Sequence, residues 1–171
     1  YSSCLQLDPK ALFDISIKHL NDQHQTNLPF YVKLLSNSIK KIIEKYKENT
    51  KITKDIYNSN LINHCCSMLK WKEVKPSIGD LVEIIFLITN NFTSKNKELK
   101  KITQEHEELL TSLIFDNSDP KTQKKLIDII KVSYTEKTEK YLEKLFSNNK
   151  DIKDHWNYSP ELFLRESPFI G

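Results

Sequence analysis

The sequence predicts an all-α protein, and two features of its 171 residues carry this prediction. Apolar residues recur at steps of three and four along several long stretches, the spacing that lines one face of an α-helix. Glycine occurs only at Gly79 and Gly171, although tight hairpins and phosphate-binding loops depend on it. This scarcity disfavours β-rich folds and glycine-dependent nucleotide chemistry.

Two helices are expected in the first part of the chain. Asp8-Pro9 combines a capping residue with a proline at the first helical position, and Leu12, Ile15 and Leu20 follow at near-helical spacing. The second helix has the most regular pattern in the sequence and is expected to bury one continuous stripe. That stripe consists of Leu28, Val32, Leu35, Ile39, Ile42 and Tyr46.

The middle of the chain predicts two more helices. The third is marked by Ile56, Leu61, Cys65 and Met68. It is less regular, and we expect a break near Ser59. After Pro76-Ser77, residues 78–92 are apolar nearly all round, which favours a buried helix. The β-branched content of residues 81–89 leaves a strand as the alternative.

Three further helices are predicted before residue 149. The stripe of the first consists of Leu99, Ile102, His106, Leu109 and Leu113. Residues 116–120 form a turn that starts the next helix, which carries Leu126, Ile127 and Ile130. Residues 133–136 have the spacing of a capping box and open a last helix with Leu142, Leu145 and Phe146.

Residues 150–171 differ in character from the predicted helical domain, which spans residues 1–149. The segment contains Trp156, Phe163 and Phe169, and Pro160 and Pro168 prevent a long helix. We expect it to cap the preceding helices, because large aromatic side chains gain roughly 1.5–3 kcal/mol each on burial. The alternative is a docking site for a separate protein.

An apolar five-residue pattern recurs along the chain. Residues 81–85 (LVEII) return at 126–130 (LIDII), 45 positions later, and residues 39–43 (IKKII) precede the first copy by 42. Pro76 and Pro120 precede their apolar helices by a few residues, 44 positions apart. A period of this length is typical of solenoids made of stacked helical repeats.

Residues 109–130 (LLTSLIFDNSDPKTQKKLIDII) resemble an armadillo or HEAT unit in their leucine-rich helix end, short acidic turn and following helix. The resemblance covers roughly residues 28–147. It implies a short right-handed solenoid of about three units, with a compact helical bundle as the alternative. Unlike armadillo families, the chain has no glycine between its first helices. The resemblance also implies a groove asparagine at Asn90 or Asn91, whereas the last unit has only Tyr134 nearby.

The net charge is +3, and Arg165 is the only arginine among 26 basic residues. Specific DNA recognition is not expected, because bidentate contacts to bases depend on arginine. Residues 33–54 include seven lysines and two acids, whereas residues 102–120 include five acids and no lysine. These stretches are either solvated helix faces or two charged patches for different partners.

The three cysteines, Cys4, Cys65 and Cys66, favour a reducing compartment over a disulfide framework. No apolar run is long enough to predict a membrane span. Because the sequence starts at Tyr1, a segment of a larger protein is expected.

Two groups of residues could suggest chemistry, and neither is expected to perform it. His64, Cys65 and Cys66 are consecutive, and side chains about 100° apart on a helix do not converge on one metal ion. Within residues 105–108 (EHEE), His106 lies on the apolar stripe, where a half-buried structural role is favoured. No enzymatic activity, metal or cofactor is predicted.

The sequence therefore predicts a non-catalytic protein–protein interaction or scaffold module of an intracellular regulatory protein, in the cytoplasm or nucleus. Its expected partner is another protein or a peptide. The alternative is a lysine-rich helical domain that binds nucleic-acid backbone or an acidic lipid surface. Trp71 either caps nearby helix ends or anchors an interface. The candidate partner-binding residues are Lys40, Lys41, Lys47, Trp71, Asn90, Asn91, Lys124, Lys131 and Tyr134.

Overall fold

The computed structural model describes residues 8–22, 24, 26–46, 51, 56, 60–91, 105–116, 119–132 and 136–148. This part of the chain is helical and contains no strand, which confirms the predicted all-α class. The α-helices are α1 (Pro9–His19), α2 (Leu28–Lys45), α3 (Leu61–Met68), α4 (Ile78–Asn91), α5 (Glu107–Asp116), α6 (Pro120–Val132) and α7 (Glu136–Asn148). A 3₁₀-helix (Lys72–Ser77) leads directly into α4.

The chain divides into two compact units, Tyr1–Thr93 and Ser94–Gly171. The first unit contains α1 to α4, and the second contains α5 to α7. The strand alternative for residues 81–89 is wrong, because they lie inside α4.

Helices α1 and α2 form an antiparallel pair. Asp8 caps α1, as predicted, by accepting a hydrogen bond from the Lys10 N–H at 3.1 Å. The Tyr46 hydroxyl, at the end of α2, donates to the same carboxylate at 2.6 Å. At the opposite end the His19 ring stacks on Tyr31, with centroids 4.2 Å apart. The two contacts join opposite ends of the pair, which is why the helices are antiparallel.

The predicted stripe on α2 is buried from Leu28 to Ile42, and Tyr46 is half-buried at its end. Burial of each such large apolar side chain contributes roughly 1.5–3 kcal/mol. On α1 the prediction for Ile15 is wrong, since its side chain is 38% exposed. Ser16 is buried instead, because its hydroxyl donates to the Leu12 carbonyl at 2.8 Å and needs no water.

Helix α3 begins after Asn60, which has the left-handed φ of 59° that asparagine tolerates. The predicted break near Ser59 lies outside the described residues, but Ile56 is buried as expected. Within α3, Cys65 and Met68 are also buried.

Helices α2 and α4 run in the same direction. In the turn before α2, His24 Nδ1 lies 4.0 Å from Glu73 Oε1, which belongs to the 3₁₀-helix that precedes α4. Farther along both helices, Lys40 Nζ lies 3.6 Å from Glu83 Oε1. Since residue numbers increase together across both contacts, the helices are parallel neighbours, and their mutual packing makes α2 the centre of this unit.

In the second unit α5 and α6 form a helix pair. Asp119 caps α6 by accepting a hydrogen bond from the Lys121 backbone N–H at 3.3 Å. Its carboxylate also accepts from the Thr122 hydroxyl at 2.7 Å, and this bond is the main cause that lowers the pKa of Asp119. The buried Gln123 amide donates to the Ile114 carbonyl at 2.7 Å. This bond satisfies a carbonyl in the last turn of α5, which has no partner within its own helix.

The predicted stripe on α5 is only partly correct. Leu113 is buried and His106 is half-buried, as predicted, but Leu109 is only half-buried, while Leu110 and Ile114 are buried. The helix is therefore rotated by about one residue relative to the prediction, because α6 and α7 both contact it.

The four apolar positions aligned by the repeat are all fully buried, and they lie on α4 and α6. They are Leu81, Ile85, Leu126 and Ile130.

Several predictions lie outside the described residues. These are the start of the stripe at Leu99 and Ile102, the first three residues of the capping box at 133–135, and the segment 150–171. The predicted boundary between residues 149 and 150 lies there too. Helix α7 is present, but the side chains of Leu142, Leu145 and Phe146 are not described.

Candidate functional site

The most exposed side of α2 is opposite its buried stripe. Lys33, Asn37 and Lys41 are all exposed and follow one another at four-residue steps, so they form one row on the helix. Lys33 and Lys41 are separated by eight residues, which corresponds to roughly 12 Å along the axis. Lys40 and Glu44 flank this row and are also exposed.

The lysines of α2 differ in how they are paired. Lys40 contacts Glu83, and Lys45 Nζ lies 3.8 Å from Asp8 Oδ1. Lys33 and Lys41 form no ion pair within the described chain. The Lys45–Asp8 pair is exposed, and exposed pairs are typically worth less than about 1 kcal/mol, whereas the Glu83 side chain is only 13% exposed. Among the described residues, the ammonium groups of Lys33 and Lys41 are therefore left without an acidic partner.

Two aromatic residues, Phe30 and Tyr31, lie beside this row at the start of α2 and form an aromatic ledge. Phe30 is 45% exposed and meets the ring of Tyr31 edge-on at 5.2 Å. Tyr31 in turn stacks on His19. Phe30 was not among the residues predicted from the sequence, although its position two residues after Leu28 places it off the buried stripe. That mismatch between a large apolar side chain and a solvent-facing position was the available signal.

Trp71 is half-buried at the junction of α3 and the 3₁₀-helix. The backbone N–H of Trp71 donates to the Met68 carbonyl at 2.9 Å, and the backbone carbonyl of Trp71 accepts from the Val74 N–H at 3.2 Å. Its ring meets His64 edge-on at 6.4 Å. Trp71 thus connects two helix ends through its backbone, while its role as an interface anchor stays a prediction.

Asn90 and Asn91 are exposed at the end of α4. The Asn91 side-chain amide donates to the Leu87 carbonyl at 2.7 Å. At least one of the two asparagines is therefore engaged by its own helix.

The remaining candidate residues are not brought together in one described site. Lys124 is exposed on α6, in the second unit. Lys131 lies in the same helix, but its side chain is not described. Lys47 and Tyr134 lie outside the described residues. The first unit thus holds Lys40, Lys41, Trp71, Asn90 and Asn91.

The cysteines of α3 are free thiols in a buried setting. Burial raises the pKa of Cys65, and burial raises that of Cys66 to about 12 despite the neighbouring charge of Lys70. Both side chains therefore stay protonated and are poor nucleophiles. His64 faces elsewhere, with Nε2 3.2 Å from the Leu20 carbonyl. Within the described chain no three His, Cys, Asp or Glu residues are placed to share a metal ion.

The acidic residues at the start of α5 have separate environments. Glu105 and Glu108 are exposed, His106 is half-buried, and Glu107 is only 4% exposed. Burial raises the pKa of Glu107, and the positive charge of Lys137 partly opposes this. Its Oε1 has no hydrogen-bond partner among the described residues. This buried carboxylate was not predicted, since a run of charged residues gives no sign of which member faces inward.

Comparison with known proteins gives no assignment: no protein-family model, curated protein or solved structure matches the chain significantly. No helix in the described residues has both the length and the apolar character of a membrane span. Within the described residues, the exposed side of α2 thus combines two unpaired lysines with the exposed ring of Phe30.

Proposed function

We propose that this protein is a non-catalytic protein–protein interaction module whose helix pairs stack as a short HEAT- or armadillo-like solenoid. The observation that carries the proposal is the parallel arrangement of α2 and α4. Their ion pair joins residues 43 positions apart, close to the 42-residue offset between the apolar patterns of the same helices. In a stack of repeats, equivalent positions lie side by side in this way.

A second observation supports the same organisation. Each apolar pattern lies on the second helix of a pair: α2 after α1, α4 after α3, and α6 after α5. The residues that the repeat aligns are buried in α4 and in α6. Stacked pairs hide one side of each helix and leave another as an extended surface, and such surfaces bind proteins and peptides.

The compartment proposed for this function is intracellular. Cys65 and Cys66 are free thiols, and their burial in α3 gives them a packing role. Inside the cell such thiols stay reduced.

Spin labels test the stacking. Asn37, Gly79 and Lys124 are exposed. They are separated by the 42- and 45-residue offsets of the apolar pattern, so they mark the same position in three successive repeats. Labelled cysteines would be introduced in pairs at these positions in a C4S background. Stacking with interaxial distances of 8–10 Å predicts that the 37–124 distance is about twice the 37–79 distance. Equal distances would instead favour the compact helical bundle.

Binding is tested by a photo-crosslinking side chain at Asn37, on the exposed side of α2. A protein captured there, at both low and high salt, would support the interaction module. The control is the same side chain at Lys121, which is exposed on α6. Capture that disappears with added salt or after nuclease treatment would favour the nucleic-acid alternative. Capture that requires intact membranes would favour the lipid alternative.

A further inference from the structure

We infer that the exposed side of α2 recognises an acidic peptide that carries one apolar side chain and two carboxylates. The surface, called the α2 face, consists of Phe30, Lys33, Asn37 and Lys41. This inference rests on the proposed function and gives the partner its chemistry.

The first step is the charge left over after internal pairing. Of the exposed lysines of α2, Lys40 and Lys45 are engaged by Glu83 and Asp8. Lys33 and Lys41 have no such partner within the described chain. The face therefore presents two separate positive charges, with the amide of Asn37 between them as a hydrogen-bonding group.

The second step is the distance between these charges. Eight residues of helix correspond to roughly 12 Å. An extended peptide advances at most 3.3–3.6 Å per residue, so carboxylates about three or four residues apart match both lysines. The flexible lysine stems tolerate small errors in this spacing.

The third step is the aromatic ledge. Phe30 lies one helical turn before Lys33 and is 45% exposed, and its neighbour Tyr31 is held in place by stacking on His19. A leucine or similar side chain laid on Phe30 would remove apolar surface from water on both partners. The peptide therefore has its apolar residue at one end and its two acids beyond it.

A peptide fits this surface better than a polyanion does. Glu44 follows the row on the same exposed side, and Glu83 and Asp8 neutralise two of the nearby lysines. A nucleic-acid backbone or an anionic membrane would meet these acids as well as the lysines. Two discrete carboxylates avoid that repulsion.

The test uses short fluorescein-labelled peptides that carry one leucine and two glutamates, with the spacing between the glutamates varied. Binding to the full chain is followed by fluorescence anisotropy. We expect an affinity maximum when the glutamates are about three or four residues apart. Single-stranded oligonucleotides and phosphatidylserine vesicles serve as competing probes.

The diagnostic variant is K33E/K41E, and the matched control is K75E/K121E, which changes the net charge equally at two exposed lysines elsewhere. We expect K33E/K41E to weaken peptide binding by about tenfold or more, because attraction becomes repulsion at both contacts. The control should stay within about twofold of the parent chain. F30A should also weaken binding, and circular dichroism checks that each variant is folded.

Equal losses in K33E/K41E and K75E/K121E would overturn the inference, since only net charge would then matter. Peptide affinity that is independent of glutamate spacing would overturn it as well. Preferential binding of oligonucleotides or vesicles through Lys33 and Lys41 would assign the face to a different ligand class. If these peptides fail while the crosslinker at Asn37 still captures a protein, the proposed function stands and only the acidic chemistry is wrong.

Discussion

The hydroxyl of Tyr46 donates a hydrogen bond of 2.6 Å to the carboxylate of Asp8, 38 positions away in the chain. Asp8 also caps α1, so one side chain both starts that helix and fastens it to the end of α2. The hydrogen bond from Tyr46 is the main reason that the pKa of Asp8 lies below its ordinary value.

The variant Y46F tests this link. A lowered pKa means that the folded protein favours the ionised carboxylate. The resulting stability is fully present above the pKa that Asp8 has in the unfolded chain, and it is lost as pH falls through the lower pKa of Asp8 in the folded protein. We therefore expect Y46F to raise the pKa of Asp8 and to lower the thermal midpoint at neutral pH, with the difference disappearing in acid. The pKa is measured by carboxyl carbon NMR. K45M is the comparison, and a larger shift there than in Y46F would contradict the assigned cause.

The variant E107Q is expected to raise the thermal midpoint at pH 7. Burial raises the pKa of Glu107, so the ionised form is destabilising above that pKa. The stability of the protein should therefore increase as pH falls through the raised pKa of Glu107 towards about 4.3, the ordinary pKa of glutamate. The control is E108Q, because Glu108 is exposed in the same first turn of α5 and interacts with the same helix dipole. A lower midpoint for E107Q alone would show that attraction to Lys137 outweighs desolvation.

Truncation of the aligned core positions should be costly in both units. Ile85 and Leu126 are fully buried, so I85A and L126A are each expected to lower the free energy of unfolding by about 2–5 kcal/mol. Urea denaturation measures this loss. I15A is the control, and a smaller loss is expected because Ile15 is 38% exposed and buries less apolar surface. A nearly neutral I85A or L126A would mean that the repeat register is wrong.

The Gln123 side chain should be important for the α5–α6 pair. Q123A removes a buried donor and leaves the Ile114 carbonyl without that partner, at a cost of about 1–3 kcal/mol. K124A, at the exposed neighbouring position, is expected to leave the urea midpoint nearly unchanged. Similar losses in both variants would point to helix propensity instead of the buried hydrogen bond.

Local spacing explains which parts of the fold were predictable. The start of α1 at Asp8-Pro9 and the buried stripe of α2 follow from capping chemistry and a regular apolar period, both of which act within a few residues. The same holds for α4, whose apolar run is too long for an ordinary strand. The lysine-rich exposed side of α2 is equally a property of local sequence.

The sequence by itself determined that the chain is helical, where most helices begin, and which helices carry the repeated apolar pattern. Only tertiary structure decided that Ile15 stays exposed, that Glu107 turns inward, and that α2 and α4 lie parallel. Periodicity defines a broad apolar arc on each helix, but the neighbouring helices decide which part of that arc they cover. For the same reason the pairing that leaves Lys33 and Lys41 unmatched depends on residues distant in sequence.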